Sequence, residues 1–515
     1  MALVLSWWLA ELVVALSAAT LAVYVWFQRG YRHWRRKGVR YLQPTFPFGN
    51  FAQAVLGQKS YGHVAQDMYN ETKGERFVGL YSVGRPVLLV RDPELVRRVL
   101  VRDFGAFRDR GVYLDDEEPV NRQLFFLRGA EWRARRAKLT PAFTSGKLRF
   151  MFQTIADCGR ELSAVVEQLA AGGGPTEVRD LVARFTTDVI VSVGFGVESD
   201  SQRNPDAVFR NWGKQVFAPG LKTSFGFRLL FLSPKMSEFL RVKCGFSDVS
   251  SFFRKMIADT VAYREENGVM RKDYMQLLIQ LKNKGFLDGD KVQQNGNKVE
   301  NIKLTMDDLA AESFAFFIAG FETSTTTMSC ALLELALNPD VQQRLQSEID
   351  AVLERHGGDA SYDAIAQMPY LDQVLAETLR KYPPLPILNR DCMEDYKIPD
   401  SDVVIEKGTG IIISLLGLHY DPEVFPDPER FDPERFSEEE KAKRHPYVYL
   451  PFGDGPRICI GMRLGQLQSK VGLASVLSRF SVRPTAATPR RLAFNGRGVL
   501  LLPTTGIQLR FEKRR

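Results

Sequence analysis

A helical pattern of about 32 residues near the middle of the chain constrains its fold more than any other feature. Thr305 is a candidate N-cap with Asp308 three residues later, and Asn338-Pro339 ends the pattern. Such a helix would be about 48 Å long, which suits a segment that crosses a large domain rather than one on its surface. The sequence therefore predicts a large body built around one central helix.

The interior of this helix breaks the usual rules of helix composition. It contains Gly320 and then five consecutive hydroxyl residues at 323–327. Glycine costs about 1 kcal/mol inside a helix, and Ser and Thr side chains compete for backbone hydrogen bonds. A helix end at Gly320 is the alternative, but Met328–Leu337 resumes a helical composition. Because Ala319 and Thr323 share one face, we interpret the departure as a functional site where the helix opens beside a small ligand.

The rest of the body is predicted to be mainly helical with a small β-rich portion. Helical patterns, the first of them broken at Thr140-Pro141, cover Asn121–Met151, Asp180–Val193, Phe252–Asn267 and Tyr274–Lys284. Strand patterns cover Phe77–Leu80, Pro86–Val90, Val403–Ile405 and Ile411–Ser414. The polar stretch Lys291–Asn301 is typical of a surface loop.

The N-terminus has the composition of a membrane anchor. Ala2–Phe27 is almost wholly apolar and would form a helix about 39 Å long, enough to cross a hydrocarbon core of about 30 Å. Six Lys and Arg residues follow between positions 29 and 40, and none precedes. This order favours an uncleaved anchor with the body in the cytosol over a signal peptide cleaved near Ser17-Ala18-Ala19. We expect an anchor at 1–28, a basic Pro-containing linker at 29–50 and the body at 51–515.

Charge and cysteine usage exclude several classes of protein. The net charge of +8 is concentrated in that basic cluster, so a nucleic-acid-binding body is disfavoured. The cysteines are widely spaced and form no Cys-x-x-Cys pair, which argues against a disulfide framework or a zinc finger. They are Cys158, Cys244, Cys330, Cys392 and Cys459.

Cys459 lies in an unusual loop. Phe452–Gly461 contains glycines and a proline that force turns, and it precedes the helix-forming stretch Met462–Leu477. Free amides and the dipole at a helix N-terminus lower the pKa of a thiol, and Arg457 adds a cation nearby. A buried structural cysteine is the alternative. Zinc is disfavoured because the nearest histidine, His445, is in a different loop, and nothing local supplies the partner histidine of a cysteine hydrolase.

A second helix carries a possible ion pair. It begins at Pro369 and ends before Pro383-Pro384, and it places Glu377 and Arg380 on one face. Most such pairs are solvated and contribute a few tenths of a kcal/mol, so the residues alone favour a surface pair.

Together these motifs resemble one family. Phe452, Gly455, Arg457, Cys459 and Gly461 match the F-x-x-G-x-R-x-C-x-G haem-binding signature of the cytochrome P-450 haem-thiolate monooxygenases. The other landmarks of that family follow in its order: Trp132 and Arg136, the central-helix stretch 319–324, the E-x-x-R of 377–380 and the P-E-R-F of 433–436. Pro-Glu-Arg-Phe also occurs at 428–431, but the family order favours the second copy and thus Arg435. The resemblance spans nearly all of the chain after residue 40 and implies the cytochrome P-450 fold.

The resemblance implies roles for the matching residues around a haem b. Cys459 would be the proximal iron ligand, Phe452 would cover its sulfur, and Gly461 would let the backbone approach the porphyrin. The propionates would be held by Trp132, Arg136, Arg390 and Arg457. Arg108 and Arg110 are further candidates for this role, but an exposed pair is the favoured interpretation of these two.

It implies two further groups of residues. Ala319 and Gly320 belong to the oxygen-binding stretch, and Thr323 and Glu322 would deliver protons. Glu377, Arg380 and Arg435 would form a buried charge network that supports the cysteine loop. The substrate pocket would be lined by residues 115–126, Phe209–Phe217, Phe316, Leu385–Leu388 and Val499.

The implied activity is insertion of one oxygen atom from O2 into a lipophilic substrate. Electrons would come from NADPH only through a flavoprotein reductase, because no dinucleotide fingerprint is visible. The stretches 143–147 and 317–324 resemble the microsomal detoxifying branch, especially its insect members, which implies xenobiotic substrates and the endoplasmic reticulum membrane, held by a single span or peripherally. The alternatives are an endogenous hormone or fatty-acid hydroxylase, a haem-thiolate isomerase or dehydratase, and a non-catalytic haem sensor or electron carrier.

Overall fold

The computed structural model describes residues 2–113, 115, 117–217, 226, 229–243, 247–287 and 303–514. The predicted surface loop at 291–301 and Cys244 lie outside this part. Its α-helices are α1 Ala2–Gly30, α2 His33–Arg36, α3 Ala52–Val55, α4 Tyr61–Glu71, α5 Pro93–Arg97, α6 Gly129–Leu139, α7 Ser145–Gly172, α8 Val178–Phe195, α9 Val208–Phe217, α10 Pro234–Phe239, α11 Ser247–Glu266, α12 Tyr274–Asn283, α13 Met306–Leu337, α14 Pro339–Arg355, α15 Tyr362–Ala366, α16 Pro369–Lys381, α17 Leu415–His419, α18 Glu438–Ala442 and α19 Met462–Leu477. A short π-helix occurs at Arg98–Arg102. Tight 3-10 turns occur at Phe104–Phe107, Pro119–Asn121, Thr140–Phe143, Pro433–Phe436, Pro446–Val448 and Gly455–Arg457.

The strands form a minor part of the fold, as predicted. They are β1 Phe77–Ser82, β2 Arg85–Val90, β3 Thr176–Glu177, β4 Ile387–Asp391, β5 Tyr396–Lys397, β6 Val404–Ile405, β7 Gly410–Ser414, β8 Phe480–Pro484 and β9 Gln508–Lys513. The largest sheet has the order β1-β2-β7-β4, in which only the β2–β7 pair is parallel. Two smaller sheets have the orders β3-β9-β8 and β5-β6. The predicted mainly helical fold with a small β portion is confirmed.

The central helix α13 has the predicted length and cap. The Thr305 hydroxyl accepts from the Asp308 amide (3.1 Å), and the Asp308 carboxylate accepts from the Thr305 amide (2.9 Å). The predicted opening at the hydroxyl run is absent, since α13 is continuous through it. Thr323 instead donates to the carbonyl of Ala319 (2.5 Å), and Thr325 and Thr327 donate in the same way to the carbonyls four residues earlier. These bonds accommodate the hydroxyl groups within helical geometry.

Gly320 allows α13 to approach its neighbour closely. A Cβ at this position would lie 2.3 Å from Cδ1 of Ile190 on α8, far inside van der Waals contact. A larger residue would push the two helices apart. The glycine therefore serves helix packing, whereas the sequence suggested that it marks an opening of the helix.

The predicted N-terminal boundary of the helix at 121–151 is wrong. Residues 122–128 are not helical, and α6 begins at Gly129, which has a positive φ of +56°. The segment is held instead by tertiary contacts, because the Leu124 amide donates to the Glu312 carboxylate on α13 (3.0 Å). The predicted break at Thr140-Pro141 is confirmed by a tight turn that separates α6 from α7.

The N-terminal helix projects from the body and then docks on it. Ala10–Arg36 is the one stretch of the described chain that is long and apolar enough to cross a membrane. Side chains along α1 are exposed, among them Trp7 and Trp26. Trp34 is fully buried, and its indole N–H donates to the Leu80 carbonyl of β1 (2.8 Å). The segment predicted as a linker therefore packs against the largest sheet.

Candidate active site

A cavity of about 660 Å³ lies along α13 and reaches the cysteine loop. The sequence-predicted site residues that line it are Trp132, Arg136, Ala319, Gly320, Thr323, Arg390, Phe452, Arg457, Cys459 and Gly461. Residues from each region predicted to contact substrate also line it, including Phe126, Phe217, Phe316, Leu388 and Val499. The fold thus brings segments more than 300 residues apart in sequence to one chamber.

The cysteine loop is held by its own backbone. The Cys459 amide donates to the Phe452 carbonyl (3.0 Å), and the Ile458 amide donates to the Gly455 carbonyl (2.9 Å). Gly455 has a φ of +72°, and a Cβ there would lie 2.0 Å from the Leu100 carbonyl oxygen. Only glycine fits this turn, because both the backbone conformation and the space exclude a side chain. The loop therefore presents Cys459 in a fixed position.

The thiol of Cys459 is exposed to the cavity, although the surrounding protein still desolvates it. Burial raises its pKa, while the Gly461 amide and the charges of Arg136 and Arg110 oppose that shift. The sequence predicted a thiolate favoured by a helix N-terminus. That expectation is wrong for the protein alone, because α19 begins only at Met462 and burial dominates. A metal ion would remove the proton, since coordination deprotonates a thiol.

Arginine side chains gather around the cavity near Cys459. Arg457 donates to the carbonyls of Arg108 (2.7 Å) and Leu127 (2.8 Å) and lies over the Trp132 ring, 4.3 Å from its centroid. Burial lowers the pKa of Arg457 to about 10.

Two further cations complete this group. Burial and the neighbouring Arg457 lower the pKa of Arg390 to about 9. Arg110 also lines the cavity, and burial and the neighbouring Arg390 and Arg457 lower its pKa as well. The expectation that Arg110 is exposed is therefore wrong, although Arg108 remains partly exposed.

These residues fit a haem. Among the described residues, Arg110 Nε, Arg390 Nε and Arg457 Nη1 are buried nitrogen atoms without a hydrogen-bond partner. Arg457 already pairs through Nη2 with the buried Asp109 (3.1 Å), so its Nη1 and the Nε atoms of Arg110 and Arg390 are the donors that the two propionates of protoporphyrin IX would satisfy. No protein atom lies within 4 Å of the place a Cβ of Gly461 would take, so this part of the wall is open. No group of three His, Cys, Asp or Glu residues in the described chain can hold a metal. A metal bound by Cys459 would therefore bring its other ligands with it.

The E-x-x-R pair is buried, so the surface interpretation is wrong. Arg380 donates from Nε and Nη2 to the Glu377 carboxylate at 2.7 and 2.8 Å, and neither side chain is exposed. Arg435 lies 3.5 Å from Glu377, which agrees with the choice of the second Pro-Glu-Arg-Phe copy. The first copy contributes its backbone instead, since the Pro428 carbonyl accepts from Arg380 (2.8 Å).

His419 links this charge network to Leu450, two residues before the cysteine loop, and the sequence did not predict this role. Its Nε2 accepts from the Leu450 amide (3.2 Å), and its Nδ1 lies 3.2 Å from the Arg380 carbonyl oxygen. Burial lowers the pKa of His419 to about 3, so the ring is neutral and donates from Nδ1. No local sequence pattern distinguishes it from any other histidine.

Thr323 and Glu322 point to different surroundings. Thr323 lines the cavity, whereas Glu322 is buried outside the cavity wall and is paired with Arg179 on α8. Burial raises the pKa of Glu322 despite this pairing. The Arg179 side chain is 30% exposed, so the pair extends from α13 toward the surface.

The fold and this chamber define a haem-thiolate monooxygenase of the cytochrome P-450 class. The family model described as cytochrome P450 matches residues 41–511. The chain is 41% identical to cytochrome P450 6k1 of Blattella germanica over 512 residues, which cover 98% of this chain and 97% of that protein. It is 40% identical to cytochrome P450 6a2 of Drosophila melanogaster, over 98% of this chain and 99% of the relative. It is also 40% identical to cytochrome P450 6d1 of Musca domestica, over 96% and 98%. The chain therefore belongs to the cytochrome P450 family and is a haem-binding monooxygenase, and the predicted resemblance to insect members is confirmed.

Proposed function

We propose that this protein is a membrane-anchored monooxygenase that oxidises lipophilic substrates of the xenobiotic class with electrons from an NADPH-dependent reductase. The observation that carries this proposal is the single chamber that joins an aromatic, apolar wall to Cys459 and Thr323. An apolar chamber favours molecules that lose hydration on entering it.

We assign the haem to the residues around the cysteine loop. Cys459 would hold the iron, and Arg136, Arg390 and Arg457, with Arg110 in addition, would hold the propionates. When bound, the haem supplies the redox chemistry of oxygen activation, and a thiolate ligand favours O–O cleavage. The protein supplies a fixed thiol, fixed cations and a wall that keeps bulk water from the chamber.

Thr323 and Glu322 would manage protons at this site. The Thr323 hydroxyl donates a hydrogen bond to the Ala319 carbonyl, which leaves the lone pairs of Oγ1 free to accept a hydrogen bond from a water molecule or ligand on the cavity side. Burial raises the pKa of Glu322, and its partner Arg179 is partly exposed, so this pair would relay protons from the surface toward the cavity.

Replacing Thr323 with alanine is expected to uncouple turnover from product formation. Positioned proton transfer contributes typically 10²–10⁴-fold, but a water molecule can replace the lost hydroxyl, so we expect the ratio of product to NADPH consumed to fall about tenfold. Electrons from NADPH would then reduce O2 to hydrogen peroxide instead of forming product. The measurement is product per NADPH at equal haem content. Thr323→Ser keeps the hydroxyl and should retain the ratio, while an unchanged ratio in both Thr323→Ala and Glu322→Gln would remove the pair from the mechanism.

We further propose that residues 1–28 anchor the chain in the endoplasmic reticulum membrane, with residues 51–515 in the cytosol. Support comes from the apolar, exposed side chains of α1 and from the basic residues that follow it. The packing of Trp34 on β1 would hold the body close to the end of the anchor.

Deletion of residues 2–23 is expected to release much of the protein from membranes without loss of haem. Phe27 is buried and packs edge-on against Phe46, so this deletion spares the contacts between the anchor and the body. Fractionation of expressing cells at matched haem content measures the effect. Retention equal to the full chain would contradict the anchor, and a mature N-terminus found beyond residue 20 would establish a cleaved signal instead.

The activity is tested by turnover that depends on the reductase. The full chain, reconstituted in phospholipid vesicles with a flavoprotein reductase, is offered a panel of lipophilic xenobiotics with and without NADPH. We expect oxidised products only when reductase and NADPH are both present. Rearrangement of an organic peroxide without either component, together with no oxidation of the panel, would assign an isomerase instead.

A further inference from the structure

The substrate cavity contains one buried carboxylate that the proposed function does not use. Glu312 on α13 is 3% exposed, and it lines the cavity. It lies eleven residues before Thr323, so both side chains are on nearly the same helix face, about 16 Å apart along the axis. An acid at this depth in an apolar chamber is costly to keep without a purpose.

The hydrogen bonds of Glu312 involve only one of its two oxygens. Oε1 accepts from the Leu124 amide (3.0 Å) and from Arg135 Nη1 (3.1 Å). Oε2 has no hydrogen-bond partner among the described residues. Glu312, Arg135 and Asp308 form one charged cluster. Arg135 and Asp308 do not line the cavity, so Glu312 is the member of this cluster that a ligand in the cavity can contact.

The positive charge available to Glu312 is shared. Arg135 also forms an ion pair with Asp308. The Asp308 carboxylate in addition accepts a hydrogen bond from the Thr305 amide (2.9 Å) and interacts with the charge of the nearby Lys138. The charge of Asp308 disfavours the anionic form of Glu312, and Glu312 in turn raises the pKa of the neighbouring Tyr274 on α12, whose first cause is burial. Burial thus raises the pKa of Glu312 to about 7, against the opposing effect of Arg135. A cationic group on a ligand would stabilise the anionic form of Glu312.

Tyr274 and two amide side chains make this end of the chamber polar. Tyr274 stacks on Phe316, one turn after Glu312, with a centroid distance of 4.6 Å. Asn121 and Gln123 line the cavity next to Leu124, whose amide contacts Glu312. The chamber therefore has a polar end remote from Thr323 and an apolar wall between the two.

We propose that Glu312 binds the protonated amine of elongated lipophilic substrates and thereby directs oxidation to carbons far from the nitrogen. This inference rests on the proposed function, because it names the substrate class of the same chamber. An ammonium N–H would donate to Oε2, and an alkyl chain of about twelve carbons would span the distance of about 16 Å along α13 to Thr323.

The test compares a cationic probe with its carbon isostere. Holoenzyme in phospholipid vesicles is titrated at pH 7 with N,N-dimethyldodecylamine and with 2-methyltetradecane, and the haem spin-state change gives each dissociation constant. We expect the wild type to prefer the amine and Glu312→Gln to lower that preference about tenfold, equivalent to about 1.4 kcal/mol. Glutamine keeps the acceptor for Arg135 and Leu124. Asp307→Asn removes an exposed acid from the same helix and should leave the preference unchanged.

The position of oxidation gives a second measurement that a purely structural role would not change. With the reductase present, the wild type should hydroxylate the far end of the amine chain, and Glu312→Gln should scatter the products. Three results would overturn the inference even if the hydrocarbon is oxidised. The wild type could show no preference for the amine, Glu312→Gln could prefer the amine as strongly as the wild type, or N-demethylation could be the main reaction. A clear amine preference without any product from either probe would instead contradict the proposed function and leave the binding site standing.

Discussion

Cys459→Ser is expected to abolish the red-shifted absorption that a haem-thiolate protein shows when it is reduced and exposed to carbon monoxide. Among the described cysteines Cys459 is the one that lines the cavity, and the charges of Arg136 and Arg110 act on its thiol. A serine hydroxyl is a far weaker ligand because it stays protonated near neutral pH. The expected result is complete loss of the band and of reductase-dependent product, whether or not some haem remains bound.

The other described cysteines provide matched controls. Cys158, Cys330 and Cys392 lie outside the cavity wall. Burial raises the pKa of each of these thiols, to about 12 for Cys158 and about 11 for Cys392, as it does for Cys459, so what separates them from Cys459 is their position outside the cavity. Serine at any of these positions should retain the band. Retention of the band in Cys459→Ser, or its loss in all four variants, would contradict the assignment of the ligand.

Removal of Glu377 is expected to prevent accumulation of haem-loaded protein. The carboxylate accepts two hydrogen bonds from Arg380 and one from the Asp432 amide (3.0 Å), and all of this lies in the interior. Alanine would leave the Arg380 charge buried without its anion, which typically costs 3–5 kcal/mol. That is a large part of the 5–15 kcal/mol that stabilises a typical folded domain. The yield of haem per milligram of protein and the thermal midpoint measure the effect.

The two copies of Pro-Glu-Arg-Phe offer an internal control for Arg435. Arg435→Ala should also lower haem yield, because the Arg435 side chain lies beside Glu377. The matched variant is Arg430→Ala in the first copy, whose side chain is exposed and whose backbone alone contacts Arg380. Arg430→Ala should behave as wild type. Equal haem content in Arg435→Ala and Arg430→Ala would show that the second copy has no special role.

Local sequence patterns predicted the features that depend on local chemistry. The capping box of Thr305 and Asp308, the stop at Asn338 and the turn at Thr140-Pro141 each follow from residues within one turn of each other. The contiguous haem-binding signature likewise specifies a loop that places Cys459 before α19. The residues of this signature meet in space largely because they are neighbours in sequence.

Features that depend on tertiary burial were predicted less well. Arg110 is indistinguishable in sequence from an exposed arginine, and only the fold places it beside Arg390 and Arg457. The helix dipole was expected to lower the pKa of Cys459, but desolvation by the surrounding protein has the larger effect and raises it. His419 and Glu312 carry no local motif at all, since their partners are more than 30 residues away. Burial decides these cases, and a single sequence does not encode it locally.

The most direct test of the central claim is the origin of the oxygen atom in the product. The full chain, the reductase and NADPH are supplied with a lipophilic substrate under ¹⁸O2 in ordinary water, and the product is analysed by mass spectrometry. We expect one ¹⁸O atom per molecule of product and none when the label is supplied as H2¹⁸O. Product that carries no label from ¹⁸O2, or that forms equally without the reductase, would contradict a monooxygenase centred on Cys459.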